Sequence, residues 1–77
     1  MNKSRRTRLG KAIALIDEAQ QIIADIAAEE IKSRDSIPES LQDGERYERL
    51  EEAIDALDNA EGYTQDALDE IHRAICE

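Results

Sequence analysis

Residues 35–45 read DSIPESLQDGE, and the fold turns on how this stretch is punctuated. Ser36 and Glu39 have the S-x-x-E spacing of a capping box, and Pro38 suits a first helical turn. Asp43-Gly44 is a turn signal that also serves to cap a following helix. The spacing predicts one short turn of helix over Ile37 and Leu41, plugging the end of a hairpin. A connection of this length forces whatever flanks it to run antiparallel.

Both flanks carry a helical period. At ~100° per residue, Leu9, Ala12, Ile13, Ile16, Ala19, Ile23, Ile26 and Ala27 share one side of a helix running from about Arg6 to Arg34. Leu15 and Ile22 widen that side to half the circumference, opposite Asp17, Glu18, Asp25 and Glu29. From about Glu45 to Cys76, Tyr47, Leu50, Ile54, Leu57, Leu68, Ile71 and Ile75 follow a heptad, with Ala53, Ala56, Ala60, Tyr63, Ala67 and Ala74 beside it. Facing numbers are expected to sum to roughly 80 in such a hairpin, pairing Leu9 with Ile71, Ile23 with Leu57 and Ile26 with Ile54. A single hairpin interface covers one narrow stripe per helix, so the expected fold is all-α: an antiparallel two-helix hairpin, residues 1–77 as one domain, that self-associates into a four-helix or larger bundle.

Composition agrees with this. The apolar residues are nearly all aliphatic, with ten Ile, six Leu, eleven Ala and no Trp or Phe, and 38% of the chain is charged. A chain of 77 residues buries only about 60–65% of its unfolded surface, which leaves a lone core marginal and calls for a partner. The net charge is −9, unevenly spread: Lys3, Arg5, Arg6, Arg8 and Lys11 stand at one end without an acid among them. The single cysteine, Cys76, excludes an intrachain disulfide, and no apolar run approaches the ~18 residues of a membrane span. A cytoplasmic protein without direct membrane contact is expected, and direct nucleic-acid binding is disfavoured by the acidic balance.

The heptad of the second half breaks at Glu61, Gly62 and Thr64. Glycine inside a helix costs about 1 kcal/mol relative to alanine, and a carboxylate facing an apolar seam costs more unless paired. The favoured reading is a polar layer of Gln20, Glu61 and Thr64 that specifies register and assembly state, ahead of a hinge at Gly62 or a ligand notch beside Tyr63. Glu48, Glu51, Glu52, Asp55, Asp58, Asp66, Asp69 and Glu70 form an acidic arc on the outer side of the second helix, either a solvated face or a surface that imitates nucleic acid. These acids point away from the apolar arc, against an inward-facing carboxylate metal site. His72 and Cys76 have zinc-ligand spacing but are one of each, too few for a site within one chain. No phosphate loop, Cys-x-x-Cys or nucleophilic triad is present, so neither an enzyme nor a cofactor is expected. Arg5, Arg8 and Lys11 come together if helical and, with Arg6 and with Tyr63 as a stacking surface, form the candidate site for an anionic nucleotide. Its plain alternative is charge balance against Asp69, Glu70 and Glu77.

The stretch IPESLQDGERYERLEEAIDALDNA, residues 37–60, resembles short helical-hairpin proteins of Firmicute bacteria and their phages, in which an IPE-x-LQ turn leads into ERYE…EEAID. It covers about a third of the chain and brings no functional residues with it. The resemblance implies a phage or mobile-element product acting in a host cytoplasm as a stoichiometric binder. The resulting expectation is a non-enzymatic oligomer that sequesters an anionic nucleotide-type ligand or host defence signal. The alternatives are an acidic, nucleic-acid-mimicking inhibitor of a host protein and a purely structural helical module.

Overall fold

A computed structural model describes residues 1–76. Helix α1 spans Lys3–Asp35, a 3-10 turn spans Glu39–Leu41, and α2 spans Glu45–Cys76. The α1 start lies a little before the expected Arg6 because Asn2 caps it, its side-chain oxygen accepting the Arg5 amide at 2.8 Å. Lys32 and Arg34 in the last turn complement the negative end of the helix dipole.

The connection differs from the capping box expected at Ser36 and Glu39. Ser36 closes α1 instead: its hydroxyl donates to the Ser33 carbonyl at 2.8 Å and its amide to the Lys32 carbonyl at 3.1 Å. Pro38, in extended backbone, then starts the 3-10 turn without a side-chain cap. The hydroxyl had two sets of orphan groups within reach, and the last carbonyls of a 33-residue helix held it. The Gly44 carbonyl accepts the Glu48 amide at 3.2 Å and so opens α2. Ile37 is buried and plugs the hairpin end as expected, whereas Leu41, its expected partner, is 60% exposed.

The two helices lie side by side in a rod with Cα extents of 59 × 15 × 13 Å. Their seam follows a strict heptad. On α1 it comprises Leu9, Ile13, Ile16, Gln20, Ile23, Ala27, Glu30 and Arg34, and on α2 Tyr47, Leu50, Ile54, Leu57, Glu61, Thr64, Leu68, Ile71 and Ile75, all at least partly buried. Contacts of Gln20 with Glu61 and of Arg34 with Glu51 put the sum of facing numbers between 81 and 85. Ile26, expected in the seam, is left outside it: the alternating three- and four-residue step from Ile23 selects Ala27, and Ile26 stays exposed. Helix α2 runs unbroken through Gly62, where an added side chain would meet nothing within 4 Å. Among the described residues only Ala27, Ile37 and Leu68 are buried. Burial this sparse is the physical sign that one hairpin covers only part of its apolar surface.

Candidate functional site

Met1, Ile31 and Leu41 are exposed elsewhere on the hairpin, but the other large uncovered apolar side chains are grouped. Leu15, Ala19, Ile22 and Ile26 lie about 100° round α1 from its seam, and Ala56, Ala60, Tyr63 and Ala67 lie about 90° round α2 in the same rotational sense. In antiparallel right-handed helices that face each other, rotations of the same sense lead to the same side of the pair. All eight residues therefore share one face of the hairpin. With facing numbers near 82, Leu15 stands level with Ala67, Ala19 with Tyr63, Ile22 with Ala60 and Ile26 with Ala56. Ile22 is 53% exposed, Leu15 57% and Tyr63 73%.

In the seam behind this face sits the polar layer. The Gln20 side-chain amide donates to the Thr64 hydroxyl at 3.1 Å, to the Glu61 backbone carbonyl at 3.3 Å and toward the Gln65 side-chain oxygen at 3.3 Å. The Thr64 hydroxyl donates to the same Glu61 carbonyl at 2.8 Å. Glu61 thus enters the layer through its backbone, not through its carboxylate as the sequence reading had it. The carboxylate has no hydrogen bond or ion pair among the described residues, and Glu61 shares a shallow notch with Asp17, Gln20, Gln21 and Ala24. Glu61 holds a regular seam position, but Gln20 reaches its backbone carbonyl rather than its side chain. Gln65 was missed because it lies one residue outside the heptad and comes into reach only through the length of Gln20. A half-buried, unpaired carboxylate beside Asp17 opposes folding. Replacing Glu61 by leucine is accordingly expected to stabilise the fold by about 1 kcal/mol, seen as a melting temperature raised by ~4–8 °C in thermal unfolding. A fall in melting temperature would show that the carboxylate is paired in the functional assembly.

A second polar cluster, also missed, closes the loop end. Arg34 pairs with Asp35 at 3.2 Å and with Glu51 at 3.3 Å across the hairpin. The hydrogen bond to Asp35, with the neighbouring charge of Glu51, holds the guanidinium above its ordinary value. Tyr47 is likewise raised, by its hydrogen bond to Glu51 and by burial. Glu51 is therefore turned toward the seam and leaves the acidic arc to which its spacing assigned it. Of the other acids, Glu48, Glu52, Asp55, Asp58, Asp66 and Asp69 are exposed on the outer side of α2, and Glu70 pairs with Arg73 at 2.6 Å. Among the described residues no three His, Cys, Asp or Glu side chains are grouped to hold a metal, and His72 and Cys76 are both exposed.

At the open end of the rod Arg5, Arg6, Arg8 and Lys11 are exposed, and none forms an ion pair among the described residues. Asp69 and Glu70 do not reach them, and Glu77 lies outside the described residues. Met1, Arg5, Arg8 and Leu9 line an open concavity. Arg6 falls on a different side of α1, about 100° from Arg5. Tyr63 does not belong to this group. It stands level with Ala19, about 12 Å along the axis from Lys11, so the expected stacking surface is separated from the expected charges. Among the described residues no helix is long and apolar enough to cross a membrane. Compared with protein-family models, curated proteins and solved structures, the chain matches none.

Proposed function

We propose that this chain is a non-enzymatic binding protein that works as a homo-oligomer, two or more hairpins joining through the apolar face. The observation that carries the reading is the shared face itself: Leu15, Ile22, Ile26 and Tyr63 are large, exposed and aligned on one side of a hairpin with little buried core. Contiguous apolar surface on a small domain is an association site, and covering it supplies the stability that a 77-residue core lacks. Sedimentation at micromolar concentration tests it: a species of at least two chains is expected, and a stable monomer of 8.7 kDa overturns the proposal.

The bound ligand is, on this reading, anionic and of the nucleotide type, taken at the basic end. Five cations crowd the first 11 residues, and Arg5 and Arg8 share a concavity without a carboxylate in contact. Cations without internal partners are available to phosphate oxygens. Reversing both Arg5 and Arg8 to glutamate is expected to abolish thermal stabilisation by a panel of linear and cyclic nucleotides, with helix content by circular dichroism unchanged. If the double variant keeps the full ligand response, the basic end is excluded. The acidic face of α2, as a surface for a basic host protein, then becomes the leading alternative.

A further inference from the structure

The apolar face is self-complementary in a way that selects one arrangement of two copies. Two hairpins placed face to face have two two-fold solutions. In one the axis runs along the rod, both connections lie at the same end, and α1 of each copy covers α2 of the other. In the second the axis crosses the rod, the connections lie at opposite ends, and α1 covers α1.

We propose the first arrangement, resting on the self-association put forward above. Its support is the size pattern across the face. When the levels coincide, Leu15 of one copy meets Ala67 of the other, Ile22 meets Ala60, Ile26 meets Ala56, and Ala19 meets Tyr63. Every contact pairs a large side chain with a small one, so the helices interdigitate at a constant separation. In the crossed arrangement Ala19 lies over Ile22 and Ala60 over Tyr63, but Leu15 lies over Ile26 and Ala56 over Ala67, which overfills one side of the interface and leaves a gap on the other. The four interface layers repeat on both sides of the axis, as an isologous contact requires.

The charges bounding the face favour a second copy over an unrelated partner. Arg8 ends the apolar stripe of α1 at the open end, about one turn from Glu70 of the second copy, which also pairs with Arg73 of its own chain. Arg49, which pairs with Glu45 of its own chain, ends the stripe of α2 near the connection, about one turn from Glu29 of the second copy. The face between Arg8 and Ser33 is about 37 Å long at ~1.5 Å per residue. Over a width of 15 Å this gives about 1,100 Å² for the two copies together, before side chains are added, just below the ~1,200 Å² at which stable interfaces begin. The same axis sets the two basic ends side by side, so Arg5 and Arg8 of both copies occupy one end of the bundle.

The test is a distance between copies. Ser40, exposed in the connection, is replaced by cysteine in a full-length chain whose own Cys76 is changed to serine, and a nitroxide is attached for pulsed dipolar spectroscopy. Connections at one end of a bundle whose helices are ~10 Å apart place the labels within about 30 Å. Opposite ends place them beyond about 50 Å. The short distance with a two-chain mass is the expected result. The long distance, or an assembly of more than two chains, overturns this arrangement while self-association stands. No dipolar signal together with a one-chain mass overturns both.

Discussion

Replacing Leu68 by alanine is expected to cost about 2–4 kcal/mol and to lower the melting temperature by at least ~10 °C. Leu68 is the most enclosed side chain, 4% exposed, and one of only three buried residues among those described. Truncation removes its transfer free energy and opens a cavity that two helices held by a regular heptad seam do not readily collapse around. A small domain has few kcal/mol in reserve, so the loss takes a large share of the total. Urea unfolding at fixed protein concentration checks it, with the midpoint falling and the slope unchanged. Leu41→Ala is the control. That side chain is 60% exposed and its loss belongs within about 0.5 kcal/mol of zero. Equal losses from the two variants would refute the seam as the seat of stability.

Ile22→Glu is expected to separate association from folding. Ile22 is 53% exposed in the lone hairpin, so its carboxylate variant meets water there and leaves the seam untouched. In the proposed two-copy arrangement the same position is central to the apolar face, opposite Ala60 of the other copy. Burying an unpaired carboxylate at that level costs several kcal/mol, and each 1.4 kcal/mol is tenfold in the dissociation constant. Association should weaken by at least ~100-fold in sedimentation, while circular dichroism at low temperature keeps the helical signal. Loss of helix together with loss of association would mean that the hairpin folds only as an oligomer. An unchanged mass would remove this face from the interface.

The helices, their antiparallel order and the plug at Ile37 were legible from local rules, because periodicity, caps and turn residues act within a few positions along the chain. Seam membership was less so. Ile26 and Ala27 are both apolar and adjacent, and composition does not rank them; a steady heptad step through Ile23 and Glu30 does. The division of Ser36 between two helix ends depended on which carbonyls lacked a partner once both elements existed. Likewise Glu51 reads as one acid of an outer arc until Arg34 arrives from the other helix.

The amino-acid sequence by itself determined two long amphipathic helices, a short connection, a basic start and an apolar arc too wide for one seam. Tertiary structure decided how that arc divides. Once helical phase and register are set, Gln20 and Thr64 meet inside the seam, while Leu15, Ile22, Ile26 and Tyr63 fall together outside it. The physical reason is geometric. A side chain's period fixes its angle on its own helix, but which angles face the neighbour, and which cross-helix residues stand level, depends on a docking that joins positions some 40 residues apart.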